Sequence, residues 1–130
     1  MLKAVLALLS FAALALNSAD APAARIGHHG GLLLHCDPPQ FFDETPVKDS
    51  SVSSFQQFSV TASDNTDPST VKVWVNNEPV AVSVSVERSG RLLVQGSLAA
   101  PITSGKAWVR VTGDSKDGCD ELYVWNVYIR

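Results

Sequence analysis

TVKVWVNNEPVAVSVSVE, residues Thr70 to Glu87, decides the fold class of this chain. Its apolar positions recur every second residue: Val71, Val73 and Val75 fall on one side, Lys72 and Trp74 on the other. A period of two belongs to a half-buried strand, because successive side chains of an extended chain point to opposite faces. A helix would need apolar residues recurring at i, i+3 and i+4, and the stretch does not sustain that spacing. The valines add to this, since β-branched side chains suit a pleated surface. Asn76-Asn77 interrupts the alternation with a residue type that accepts turn conformations. Beyond it, Pro79 to Glu87 resumes the alternation, with Val80, Val82, Val84 and Val86 set against Ala81, Ser83 and Ser85.

The same reading extends in both directions. Gln40 to Glu44 reads as a short first strand closed by Pro46, Phe55 to Ala62 as the second, and Thr70 to Asn76 as the third. Pro79 to Glu87 is the fourth. Leu92, Val94, Gly96 and Leu98 form the next inward row, followed by a loop at AAPITSG, Ala99 to Gly105. Lys106 to Thr112 contributes Ala107, Val109 and Val111, and Leu122 to Arg130 ends the chain with Tyr123, Trp125, Val127 and Ile129 inward. About seven short strands separated by turn signals predict an all-β, immunoglobulin-like antiparallel β-sandwich with Greek-key connections.

The N-terminus carries a different signal. One early positive charge, Lys3, precedes an apolar run from Ala4 to Leu16 and then small residues, the layout of a secretory signal peptide over residues 1–23, with cleavage after Ala19 or Ala23. Residues 24–37 then form a flexible, histidine-containing arm, and residues 38–130 the sandwich. The mature chain is expected to be secreted or periplasmic, without a membrane span. The two cysteines, Cys36 and Cys119, read as a disulfide in that setting. A formal charge of −3 and the lack of any Lys/Arg cluster argue against nucleic acid as a partner.

Three stretches resemble the immunoglobulin-like modules of exported and cell-surface bacterial proteins. They are FSVTASDNTDPSTVKVWVNNEPV from Phe58, PITSGKAWVRVTGDSKDG from Pro101, and the final WNVYI from Trp125. The acidic turn after the second strand, the V-x-V-x-V strand and the strand ending in G-D-S-K-D-G carry the resemblance. It spans about Pro38 to Arg130, and the pattern is shared by adhesins, enzyme accessory modules and copper-carrier-like sandwiches. The chain departs from it at Asn77-Glu78, where such modules have glycine, and in its cysteine pair. The resemblance implies a fold and a compartment, and leaves the ligand open.

Alternating strand directions place the segments Asp64–Ser69, Glu87–Arg91 and Gly113–Cys119 at one end of the sandwich, together with Cys36. That end offers two candidate metal sets. Calcium would draw on oxygens from Asp64, Asn65, Asp67, Asp114 and Asp117. Copper or zinc would draw on His28, His29 and His35 with an aspartate as fourth ligand. Against these stand simpler readings, in which the aspartates shape turns and the adjacent histidines belong to a flexible leader.

A second candidate site lies on the outward face of the sheet formed by the third, sixth and seventh strands. Alternation places Lys72 and Trp74, Trp108 and Arg110, and Tyr128 on that face. Exposed indoles beside cations are the composition of a protein hot spot or a sugar-stacking platform. Trp–Arg stacking across strands for stability is the alternative use of the same residues. No G-x-S-x-G, no H-E-x-x-H and no free cysteine points to catalysis, so an enzyme is not expected. The expected function is a binding module for a protein or carbohydrate partner through Trp74, Trp108 and Tyr128. A small metal-binding carrier, or a sandwich rigidified by metal, is the first alternative, and a structural subunit that pairs through the first strand is the second.

Overall fold

The computed structural model describes residues 35–130. The expected signal peptide and most of the arm, including His28 and His29, lie outside the described residues. Nine strands follow: β1 (Phe41–Thr45), β2 (Ser51–Val52), β3 (Phe55–Ala62), β4 (Lys72–Val75), β5 (Glu78–Val80), β6 (Val82–Val86), β7 (Leu92–Ile102), β8 (Gly105–Asp114) and β9 (Asp120–Ile129). The only helical element among the described residues is a 3-10 turn at Pro68–Thr70. Two sheets result, one in the order β1-β3-β7-β6 and the other in the order β2-β9-β8-β4-β5. This is the strand arrangement of an immunoglobulin-like sandwich. All pairings are antiparallel except β2 with β9.

The inward rows meet as the alternation requires. Val73 and Val75, Ala107, Val109 and Val111, and Trp125, Val127 and Ile129 are buried from the five-stranded sheet. Phe55, Phe58, Val60, Ala62, Leu92 and Val94 face them from the other. Each fully buried valine contributes roughly 1.5–3 kcal/mol against its exposed state. The Trp125 indole N–H reaches the carbonyl of Pro46 at 3.1 Å, so the largest core side chain buries no unpaired donor. Gly96 lies directly across from Phe58, and a Cβ there would run into the Phe58 ring. The glycine in the inward row is therefore a slot for a neighbouring ring.

Four sequence expectations need correction. Pro79 to Glu87 is not one strand. β5 pairs with β4 and β6 with β7, so the chain changes sheets at the exposed Ala81. The valine row runs through this switch because both sheets turn the same alternate positions toward one core, and periodicity alone does not mark it. Ala99 to Ile102, expected as loop, continues β7; the pairing jumps from Gln57↔Ser97 to Phe55↔Ile102, and Pro101 sits within that bulge. A bulge is where a proline is tolerated inside a strand. β2 has no sequence signal, since two residues show no period; Tyr128 N–H donates to the Ser50 carbonyl at 2.9 Å and Arg130 N–H to that of Val52 at 2.9 Å. The third strand starts at Lys72 because Asp67 caps the 3-10 turn before it, accepting from Ser69 N–H at 3.0 Å.

Candidate functional site

The outer face of the five-stranded sheet gathers the expected aromatic and basic residues. Trp74 on β4 pairs directly with Arg110 on β8, and Trp108 lies two residues from Arg110 on the same side of β8. The Arg110 guanidinium carbon sits 4.4 Å from the Trp74 ring centroid and 5.7 Å from that of Trp108. The cation is thus shared between two indole faces, and the indoles are half-buried. Arg110 Nε and Asn126 Oδ1 are buried without a hydrogen-bond partner among the described residues.

The β4–β5 turn positions this cluster. Asn76 and Asn77 both have positive φ, 50° and 67°, the backbone of a type I′ turn. The Asn76 side chain accepts from Trp108 N–H at 2.8 Å and donates to the Lys106 carbonyl at 3.0 Å. It therefore extends the β4–β8 ladder past the end of β4 and fixes the backbone that carries Trp108.

Lys72 is exposed opposite Thr112. Tyr128, 37 % exposed, lies opposite Lys106 and four residues along β9 from Val124, the partner of Arg110. At a strand's rise that is about 13 Å from the Trp74–Arg110 pair, so the tyrosine borders the face without joining the stack. Leu122 and Val124, exposed at 53 % and 37 %, complete the apolar part of the face. Both stand out of phase with the buried set of β9, so alternation alone does not single them out. A groove of about 560 Å³ runs over this surface, lined by Lys72, Trp74, Arg110, Thr112, Glu121 and Leu122 among others.

The far end of the sandwich is closed by a Cys36–Cys119 disulfide, with Cα atoms 5.9 Å apart. Asn65 Nδ2 donates to the Asp37 carbonyl at 3.1 Å, and Lys116 N–H donates to the Asn65 carbonyl at 2.8 Å. Cys36 and Asp37, the β3–β4 loop and the β8–β9 loop are thereby joined, as the strand directions required. The acidic residues expected there take part in the loop structure in different ways. Asp67 caps the 3-10 turn and its N–H donates to the Asp114 carbonyl at 2.8 Å, while Asp114 N–H donates to Thr70 Oγ1 at 2.8 Å. Asp117 accepts from the Ser115 hydroxyl, which holds its carboxyl below the usual range; backbone N–H groups and nearby His35 act in the same direction. Asp64 is exposed beside Gly90. Among the described residues no three of His, Cys, Asp or Glu are placed to hold a metal ion. His35 is exposed, and His28 and His29 are not described. No helix among the described residues is long and apolar enough to cross a membrane.

Strand order and burial define an immunoglobulin-like, two-sheet sandwich whose five-stranded sheet carries the aromatic stack on its outer face. No family model matches the chain, and no curated protein sequence does. Among solved structures the fold is similar to CopC from Methylosinus trichosporium OB3b, with 14 % identity, a TM-score of 0.55, and 70 % of this chain matched to 92 % of that one. It is also similar to PcoC, a methionine-rich copper resistance protein from Escherichia coli, with 17 % identity, a TM-score of 0.52, and 71 % of this chain matched to 98 % of that one. At such identities the likeness concerns the fold. PcoC is methionine-rich, whereas the single methionine of this chain is Met1, and both of its cysteines are in the disulfide.

Proposed function

We propose that this chain is an exported, non-catalytic binding module whose outer sheet face takes a protein or carbohydrate partner. The observation that carries the proposal is the Trp74–Arg110–Trp108 stack on the face of the five-stranded sheet, bordered by Lys72, Leu122, Val124 and Tyr128. The stack locks three large side chains before any ligand arrives, and pre-ordering them lowers the entropy cost of binding. Its indole and guanidinium groups are the side chains that dominate binding energy in interfaces. The disulfide suits the oxidising compartment that such a module would occupy.

The test is capture of partners from a native extract and from a glycan array with the intact protein and its Trp74→Ala and Trp108→Ala variants. Each variant is expected to lose roughly tenfold or more in affinity, with an unchanged circular dichroism spectrum. Equal capture by all three proteins would remove the proposal.

A small metal-binding carrier is the second reading, and the fold comparisons favour it over the first. PcoC, a copper resistance protein, shares the sandwich, and all three histidines of this chain fall within residues 28–35, next to the disulfide that ties the arm down. Among the described residues no three ligating side chains are grouped, so a copper or zinc cargo would depend on His28 and His29 together with His35. For calcium the candidate set stays Asp64, Asn65, Asp67, Asp114 and Asp117. Melting the protein with Cu²⁺, Zn²⁺ or Ca²⁺, and again with chelator, separates these cases. A metal present at about a hundred times its Kd would stabilise the native state by roughly 2.7 kcal/mol. A His28→Ala/His29→Ala/His35→Ala variant should abolish a copper or zinc shift and leave a calcium shift intact.

A further inference from the structure

We propose that two copies of this chain pair through β6, edge to edge and antiparallel, about a two-fold axis at Val84. β6 closes the four-stranded sheet, and among the described residues nothing pairs with its outer side. The other edges are blunted. β1 breaks register between Phe42 and Thr45, where Asp43 has a φ of 53°; β2 has two residues; β5 has three, one of them Pro79. Bulges, short length and proline are the devices that keep edges from pairing. β6 has none of them: Val82-Ser83-Val84-Ser85-Val86 contains no proline, glycine or charge and pairs with β7 without a register shift.

Hydrogen-bond parity says which backbone groups of β6 face outward. Glu87 N–H donates to the Arg91 carbonyl at 2.8 Å, so that pair is bonded, and by alternation so are Ser85 with Leu93 and Ser83 with Gln95. The N–H and C=O groups of Val82, Val84 and Val86 therefore point away from β7. The sequence of the strand is a palindrome. Antiparallel pairing about Val84 sets Val84 against its own copy, Val82 against Val86, and Ser83 against Ser85. Every outward-facing residue then meets an outward-facing residue, and all three pairs exchange both backbone bonds. Valine meets valine on the inner side, and serine meets serine on the outer side. Val86, 70 % exposed in the single chain, gains an apolar neighbour. One symmetry operation thus satisfies hydrogen-bond parity and side-chain matching together, which is the self-complementarity that a two-fold interface needs.

Sedimentation of the secreted protein across micromolar to millimolar concentrations tests this. A monomer–dimer equilibrium is expected, with the amides of Val82, Val84 and Val86 exchanging more slowly as the dimer forms. The Ser83→Lys/Ser85→Lys variant alters only exposed positions, sets like charges opposite one another twice, and should weaken the dimer roughly tenfold or more. The Ser83→Glu/Ser85→Lys variant sets opposite charges across both pairs and should keep it. A protein that stays monomeric at millimolar concentration, or a dimer indifferent to the Lys/Lys change, overturns the proposal.

Discussion

Tyr123 shows how far one side chain can carry a measurable consequence. Its ring packs between Phe41, at 6.5 Å, and Trp125, at 5.8 Å, and its hydroxyl donates to Glu44 Oε1 at 3.0 Å. Burial first, and then the Glu44 carboxylate, push the phenol up to about 12. An unfolded chain ionises the same group near 10. Because the folded value is the higher one, its stabilising contribution is complete below about pH 10 and is lost as pH rises through about 12. Thermal melts across that window should show the native protein losing more stability than Tyr123→Phe, and the variant should lack the late tyrosinate step in alkaline absorbance. Parallel loss in both proteins would contradict the assignment. The inward placement of Tyr123 was legible from alternation along β9. Its carboxylate partner was not, because Glu44 arrives from the other sheet across a sequence separation of 79 residues.

At the scale of elements, the β4–β5 hairpin ties fold to candidate site. Two asparagines accept positive φ with less strain than other non-glycine residues, and the first also supplies the side chain that bonds to β8. Asn76→Ala would keep the unfavourable backbone and lose both bonds. It should destabilise the protein by roughly 2–4 kcal/mol in urea titrations. Asn76→Gly relieves the backbone and still loses the bonds, so it should fall between Asn76→Ala and the native protein. If Trp108 depends on this clamp, its fluorescence should shift in both variants; an unmoved spectrum would separate the turn from the aromatic face. The turn could be read from Asn76-Asn77 themselves. The sheet change after Val80 could not, since a valine row facing a shared core looks the same whichever sheet carries it. The opposite error at Ala99 to Ile102 has a similar origin: proline signals a break in pairing, and a bulge is such a break inside a continuing strand.

For the molecule as a whole, the disulfide is the one covalent link across the sandwich's closed end, and its stabilising effect follows from the length it spans. Cys36 and Cys119 are 83 residues apart, so bridging them restricts almost the entire unfolded domain. In the chain-entropy view a loop of this size contributes roughly 4.5 kcal/mol. For a domain of about a hundred residues, each kcal/mol shifts the melting temperature by about 4–8 °C, so reduction should lower it by roughly 20–35 °C. The end itself need not come apart on reduction. Ser115 N–H still donates to the Cys119 carbonyl at 2.7 Å, and Asn65 still bonds the Asp37 carbonyl at 3.1 Å, neither through sulfur. The expected signature is therefore a lower melting temperature with native circular dichroism at room temperature. Cys36→Ser/Cys119→Ser should melt where the reduced native protein melts and should not respond to reductant. A melting temperature unmoved by reduction would mean that the unfolded chain is already confined by other means, and that the bridge serves chiefly to hold the histidine-bearing arm against the loop end.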